Sequence, residues 1–388
     1  MTSALRIQER PASAAPSVDR QDPGAPFAGL RVLIVHDWIV GWAGAERCVE
    51  QLLHVFPQAD LVVGLMGESM RDHNEVTRHA RETWLGRIPA ARRRHRWFLP
   101  VEALAFASLD TRGYDLIISS SHAFAKSVRT PSGALHVSYC HSPPRYLWDL
   151  RSMYERDATR LQRLALRLGT GPLRALDRRS ARGVDHFVSN SRYVGDRIGR
   201  CYGREATVIY PPVEPKPVEG ALGPRDDYLL YLGRLVPYKR VDLAIQAAEQ
   251  AGARLLIAGE GPDRRRLERL AGRQVEFLGS VSDAQAGRLL EECRAFIFPG
   301  EEDFGIAPVE ANAHGAPVIG YAAGGVLETM IPGVTAELFD RQRVADVAAA
   351  IERTRAHHWD ESALRANARR FSAERYRRQM ADFVKDRL

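Results

Sequence analysis

Two acidic residues, Glu302 and Glu310, flank the segment Asp303-Phe304-Gly305-Ile306-Ala307-Pro308-Val309. The apolar run Ala295-Phe296-Ile297-Phe298-Pro299 precedes them and reads as a buried strand. Pro308 suits the first turn of a helix, where its missing N–H costs nothing. Gly315 suits the left-handed position that ends a helix, and Pro317 blocks resumption. The predicted order is therefore strand, loop, short helix and next strand. Glu302 falls at the carboxyl end of the first strand and Glu310 inside the helix. Ligands of open α/β sheets bind at that strand end. Two carboxylates with a glycine loop between them suit a ligand rich in hydroxyls, one accepting from a sugar and the other from a ribose. The helix N-terminus adds free N–H groups for a hydroxyl or phosphate. An acidic turn followed by a solvated helix glutamate has the same spacing, so the rest of the chain must decide.

A second set of residues is cationic. Tyr231-Leu232-Gly233-Arg234-Leu235-Val236-Pro237-Tyr238-Lys239-Arg240 leaves another predicted strand, and its Arg234 and Lys239 flank a loop. A planar guanidinium and a compact ammonium converging on one anion suit a diphosphate, although two solvated surface cations fit the pattern as well. Ala258-Gly259-Glu260-Gly261-Pro262 ends the next strand in a tight loop with a helix expected from Pro262. Ala323-Gly324-Gly325-Val326 does the same after Tyr321. In the first half, His122 and His141 each stand at the end of a predicted strand after small polar residues. Functional histidines and histidines that merely cap a strand share that pattern. Asp37 to Glu46 leaves the first strand with Gly41 and Gly44, which brings backbone N–H groups near a phosphate or sugar but makes no GxGxxG.

The elements that must position these residues alternate. Buried strands are expected at Leu30–His36, Asp60–Leu65, Tyr114–Ser120, Leu135–Tyr139, His186–Ser189 and Ala206–Tyr210. Helices are expected at about 45–56, 158–182 and 192–201. After the proline-rich linker Pro211 to Pro217 the pattern restarts, with strands at Tyr228–Leu232, Ala253–Ala258, Val275–Leu278, Ala295–Phe298 and Pro317–Tyr321. Alternation of this kind predicts an α/β class with parallel sheets covered on both faces. It divides the chain into a disordered lead at 1–26, Rossmann-like domains at 27–212 and 213–372 facing across a cleft, and a closing helix at 373–388.

The totals narrow the function. At 388 residues, two or three domains are expected. A net charge of +7 favours acidic partners such as nucleotide diphosphates, anionic lipid or nucleic acid. No apolar run reaches the length of a membrane span, and the N-terminus lacks the apolar core of a signal peptide. The four scattered cysteines show no metal spacing and fit free thiols in a reducing cytoplasm. Arg87 to Pro100 is the densest basic stretch and contains Trp97 and Phe98, a pairing suited to an anionic membrane surface or to a solvated loop. No nucleic-acid motif accompanies it.

Taken together, GRLVPYKR, AGEGP, FLGSVSD and EEDFGIAPVEANAHGAPVIGYAAGGVLE resemble the C-terminal domain of retaining GT-B glycosyltransferases of family 4. SSSHAFAKSV, YCHSPPRYLWD and SNSRYV resemble a branch of that family acting in bacterial polysaccharide assembly, O-antigen mannosyltransferases included. The resemblance implies that Arg234 and Lys239 neutralise the leaving diphosphate. It implies that Glu302 holds donor-sugar hydroxyls with backbone amides around Phe304 and Gly305, and that Glu310 accepts from the ribose. It places His122 near the reacting centre, Gly44 and Gly261 beside the donor, and His141 and Arg145 on the acceptor side. The implied reaction retains anomeric configuration and uses side-chain charge in place of a metal, with no cofactor beyond the nucleotide sugar. By that likeness the donor is GDP-mannose and the acceptor a saccharide on polyprenyl diphosphate, at the inner face of the cytoplasmic membrane, with no nucleic-acid partner. A UDP-sugar transferase, a GT-B sugar-nucleotide 2-epimerase and a non-catalytic sugar-nucleotide scaffold are the alternatives.

Overall fold

The computed structural model describes residues 27–93, 98–149, 160–216 and 225–388. The expected disordered lead at 1–26 lies outside the described residues. The chain forms two compact units, Met1–Pro212 together with Glu374–Leu388, and Val213–Ala373.

The first unit carries a seven-stranded sheet among the described residues, in the order β3-β2-β1-β4-β5-β6-β7. Its strands are β1 (Val32–Ile39), β2 (Asp60–Met66), β3 (Arg81–Glu82), β4 (Leu116–Ser121), β5 (Leu135–Cys140), β6 (His186–Ser189) and β7 (Ala206–Val208). All pairings are parallel. Near-continuous apolar runs such as Leu61-Val62-Val63 and Leu116-Ile117-Ile118 match a sheet buried on both faces. The helices that figure below are α1 (Gly44–Val55), α2 (Leu99–Ala107), α3 (Arg160–Arg182) and α4 (Arg192–Tyr202).

One difference from the sequence reading matters for function. The first strand does not end at His36 but runs on to Ile39, pairing Trp38 with Leu65 and Ile39 with Met66. Gly64 permits this, since a Cβ there would lie 2.2 Å from the carbonyl oxygen of Asp37. Asp37 is thereby a fully buried strand residue, like His36 before it, rather than part of an open turn. Helix α1 then begins at Gly44, one residue earlier than expected.

The second unit carries a six-stranded parallel sheet, ordered β10-β9-β8-β11-β12-β13. The strands are β8 (Tyr228–Leu232), β9 (Arg254–Ala258), β10 (Val275–Gly279), β11 (Ala295–Phe298), β12 (Val318–Tyr321) and β13 (Ala336–Phe339). The sequence reading missed β13, an edge strand in which only Ala336 and Phe339 are buried. It also opened the helix after Gly261 at Pro262, whereas the helix spans Arg264–Leu270 after a turn through Asp263. Helices α5 (Val241–Gln250), α6 (Ile306–Ala313), α7 (Val344–Ala356) and α8 (Glu361–Arg369) belong to this unit. The last helix, α9 (Ala373–Lys385), packs Tyr376, Met380, Phe383 and Val384 into the core of the first unit with Ile34, Ile118 and Val137. No described helix is long and apolar enough to cross a membrane.

Candidate functional site

In the second unit the carboxyl ends of four strands meet in glycine-bearing loops. These loops approach too closely for side chains at the contact points. A Cβ on Gly259 would lie 2.0 Å from the Gly233 carbonyl, and one on Gly261 would lie 2.0 Å from that of Leu235. A Cβ on Gly324 would sit 2.4 Å from the carbonyl of Glu302, and one on Gly325 2.4 Å from the Cα of Phe304. The Leu235 N–H donates to Glu260 O at 2.9 Å, and the Gly325 N–H donates to Glu302 O at 2.9 Å. Overlap at these distances cannot be absorbed without moving backbone. The glycines therefore set how tightly the rim is drawn together.

On this rim the structure brings Lys239 and Glu302 together, Nζ to Oε1 at 3.1 Å. The Lys239 ammonium lies 3.5 Å from where a Gly233 side chain would begin, so it stands at the exit of β8. Arg234, the next residue, is exposed and makes no ion pair among the described residues. Gly305 takes a left-handed φ of 89° and caps α6, leaving the first N–H groups of that helix at the rim. The Phe304 ring is buried, 5.4 Å edge-on to Phe371, so only its backbone can face a ligand. Glu310 is buried inside α6 with Lys216 Nζ 3.6 Å from its carboxylate, and that ammonium also pairs with Asp283 at 2.7 Å.

The first unit gathers a different set. Asp37, fully buried, accepts backbone N–H groups from His122 at 2.5 Å, Ala123 at 2.7 Å and Ala125 at 2.5 Å. Its carboxylate also lies 3.3 Å from His122 Nδ1. From the far side the buried Lys126 pins the same loop, bonding Asp177 at 2.7 Å and the Ala123 carbonyl. His122 is left 29% exposed at the surface of a rigid turn, edge-on to Trp38 at 4.7 Å. Beneath it, His36 Nδ1 lies 3.1 Å from the Ser120 carbonyl and 3.0 Å from Ser120 Oγ. Its Nε2 is 3.8 Å from Glu46, whose other oxygen accepts the Ala43 N–H at the start of α1. Ser120 Oγ in turn meets His141 Nε2 at 2.8 Å. The three histidine rings form a triangle with centroids 6.0, 6.3 and 6.4 Å apart.

Their electrostatics diverge. Burial disfavours the charged form of His36, but Glu46 and Asp37 outweigh it and hold its pKa above the ordinary value. Burial would raise Asp37, yet the charges of His122 and His36 and the backbone donors keep it below the usual carboxylate range. Burial lowers His122 despite Asp37. Burial, then the neighbouring histidines, drives His141 far down, so it stays neutral at physiological pH. Burial thus disfavours charge on the two outer histidines, whereas Glu46 and Asp37 favour it on the buried His36.

Sequence and structure comparisons fit this layout. Residues 42–216 match the family model Glycosyltransferase Family 4, and residues 214–371 match Glycosyl transferases group 1. The chain belongs to the GT-B glycosyltransferases. A GDP-mannose-dependent alpha-(1-6)-phosphatidylinositol dimannoside mannosyltransferase of Mycobacterium tuberculosis is 42% identical over 104 residues, 25% of this chain and 27% of that protein. An uncharacterized glycosyltransferase of Methanocaldococcus jannaschii is 26% identical over 170 residues, 42% of this chain and 47% of its own. These matches span between about a quarter and a half of the relatives' length. Among solved structures, sucrose-phosphate synthase from Thermosynechococcus elongatus aligns over 92% of this chain and 99% of that chain, with a TM-score of 0.68 and 21% identity. Anabaena HepE in complex with UDP and glucose aligns over the same shares with a TM-score of 0.66 and 17% identity. At these identities the structural likeness shows the fold.

Several residues of this GT-B chain escaped the sequence reading. His36, Asp37, Glu46, Ser120 and Lys126 build the turn that carries His122. The signal for them was an ionisable pair, His36-Asp37, inside an apolar run that resumes with Trp38-Ile39-Val40. Gly44 is the first residue of α1, half-buried, two residues before Glu46. Arg145 sits in the turn after β5, where its carbonyl accepts the Asp149 N–H at 3.0 Å. The basic stretch 87–100 is not one uniform patch. Arg92 turns inward to Glu82 and the Met66 carbonyl, Leu99 is buried, and residues 94–97, Trp97 among them, lie outside the described residues.

Proposed function

We propose that this glycosyltransferase moves a hexose from a nucleotide sugar, GDP-mannose in the first instance, to a polyprenyl-diphosphate-linked saccharide, with retention of anomeric configuration. The observation that carries the reading is the Lys239–Glu302 pair, held 3.1 Å apart on a glycine-drawn rim beside the exposed Arg234. In this scheme a diphosphate arriving at the rim draws on Lys239 and Arg234 as its negative charge grows. Cations fixed in place before the reaction stabilise that charge without reorganising. Glu302, released from part of its hold on Lys239, accepts hydroxyl hydrogens of the donor sugar. The N–H groups after Gly305 bind oxygen lone pairs, and Glu310 accepts from the ribose while Lys216 orients it. The leaving phosphate takes the acceptor proton, so no side chain is assigned as general base. His122 is the donor-sugar contact near the reacting carbon, and His141 with Arg145 faces the acceptor.

The choice of GDP-mannose leans on the 42% identical segment shared with the mycobacterial mannosyltransferase. HepE, solved with UDP and glucose, keeps a UDP-sugar donor as the second reading. A thermal-shift screen against GDP, UDP, ADP and their common sugars separates them. A selective rise with GDP and GDP-mannose is expected. A rise with UDP species alone would remove mannose and keep the transferase. Absence of any shift would overturn the assigned donor rim. Sedimentation with anionic vesicles tests the inner-membrane location, and loss of binding in an Arg93→Ala, Trp97→Ala variant is the expected result.

A further inference from the structure

Hydrogen-bond complementarity around Ser120 constrains where the neighbouring protons lie. The carbonyl oxygen of Ser120 can only accept, so His36 Nδ1, 3.1 Å away, carries a proton. Ser120 Oγ, 3.0 Å from the same nitrogen, must then act as acceptor toward it. The hydroxyl hydrogen needs an acceptor of its own, because Ser120 is fully buried and an unmade hydrogen bond there is costly. Among the described residues the remaining partner of Oγ is His141 Nε2, at 2.8 Å. That nitrogen therefore offers a lone pair, and the ring's single proton sits on Nδ1. The chain of donation is anchored at its far end, where Glu46 faces His36 and is itself tied to the first turn of α1. The Nδ1 of His141 has no partner among the described residues, and the ring is only partly buried.

We propose that Ser120 and His36 lock His141 as a neutral Nδ1–H tautomer, so that it meets substrate only as a hydrogen-bond donor to an oxygen lone pair and never as a base. The donor's target is an oxygen carrying no proton, a phosphate or glycosidic oxygen of the bound saccharide. His122 is biased to the same tautomer but presents its other nitrogen. Asp37 at 3.3 Å favours a proton on its Nδ1, which leaves Nε2 to accept from a hydroxyl. Two histidines 6.4 Å apart thus read complementary features of the two reactants, an O–H of the donor sugar and a bare oxygen of the acceptor. Ser120 and His36 are positioning residues in this arrangement, acting through His141. The assignment rests on the transferase reading for its ligand but not for its tautomer.

Long-range 1H–15N spectra of the full chain with 15N-labelled histidine read the tautomer without any substrate. A pyridine-like Nε2 and a protonated Nδ1 on His141 are expected, assigned by the signals lost in His141→Gln. The reverse pattern would overturn the proposal whatever the donor turns out to be. Activity supplies the second arm. Asparagine places an N–H where His141 Nδ1 stands, and glutamine places one where Nε2 stands. His141→Asn is therefore expected to keep about tenfold more kcat/KM than His141→Gln, the worth of one hydrogen bond to substrate. Ser120→Ala should cost about tenfold in the native background but less than about twofold in His141→Asn, since a lock has nothing left to hold. Equal or inverted ranking of the two isosteres, or full additivity of Ser120→Ala, would refute the lock.

Discussion

Replacing Asp37 by asparagine changes one atom in a fully buried side chain, and the structure lets the cost be worked out. The carboxylate serves three backbone donors, His122 and Ala123 on Oδ2 and Ala125 on Oδ1, and stands beside two histidines. Asparagine keeps one acceptor oxygen, so its amide N–H2 must face at least one of those N–H groups. An unsatisfied buried donor costs about 1–3 kcal/mol, and the bonds that survive lose their charge assistance. Removing one partner of a buried charge pair costs roughly 3–5 kcal/mol where the other stays charged, and His36 would lose one of the two carboxylates that favour its charged form. A loss of about 3 kcal/mol or more is therefore expected, concentrated in residues 121–127. Hydrogen exchange at the amides of His122, Ala123 and Ala125 is the direct assay, and 3 kcal/mol corresponds to roughly a hundredfold faster exchange. The pH dependence has a definite sign. Asp37 has a folded-state pKa below the ordinary 3.8, so its contribution is complete above that value and is lost only as pH falls through the folded value. The gap between native and Asp37→Asn should not narrow from pH 7 to pH 5, where protonation of the histidines that Asp37 favours can only widen it, and should close in stronger acid. A loss under about 1 kcal/mol at pH 7, or a gap that closes already near pH 6, would refute this account of the turn.

Four further substitutions follow from the same reasoning. Lys239→Ala should nearly abolish turnover while Glu302→Ala spares nucleotide binding more than sugar transfer, compared by kcat/KM and GDP affinity; equal losses in both would contradict the division of labour. Gly261→Ala forces a Cβ to within 2.0 Å of the Leu235 carbonyl, and a destabilisation of about 1–3 kcal/mol with weakened nucleotide binding is expected in denaturation and thermal-shift measurements. Glu102, buried on α2 with neither carboxyl oxygen bonded among the described residues, has a pKa pushed well above its ordinary 4.5 by burial and then by Asp37. Such a group costs nothing below the unfolded-state value and costs progressively more as pH rises toward the folded one, so Glu102→Leu should stabilise the protein at pH 7 and lose that advantage near pH 4 in urea titrations.

How far the sequence led depended on what kind of signal each feature leaves. Strands such as Tyr228–Leu232 and Ala295–Phe298 were legible to the residue because both faces are largely buried and the apolar run ends where the strand does. The glycines at 259, 261, 324 and 325 were legible as loop formers, but their closeness to neighbouring carbonyls depends on strands distant in sequence. Strand β13 was missed because half of it faces solvent and its pattern is too weak to count. The chief failure was at Asp37. Charge is usually a sign of a strand's end, and here an in-strand carboxylate is satisfied by three N–H groups from residues 85 to 88 positions away. Partners at that separation leave no local trace, so the histidine triangle became visible only in three dimensions.

The return of the last helix to the first unit has a consequence for how the polypeptide is made. The Val213 N–H donates to the Phe371 carbonyl at 2.8 Å, so the two ends of the second unit lie side by side, as in an inserted cassette. Residues 213–373 can therefore complete their own core as they leave the ribosome. The first unit cannot, because Tyr376, Met380, Phe383 and Val384 follow the whole second unit in the chain. Its apolar strands must wait, exposed, until α9 has been made, and long-range closure of that kind is slow and prone to misassembly. A nascent chain stalled before α9 should hold a folded second unit between the pieces of an unfinished first one, a natural substrate for chaperones.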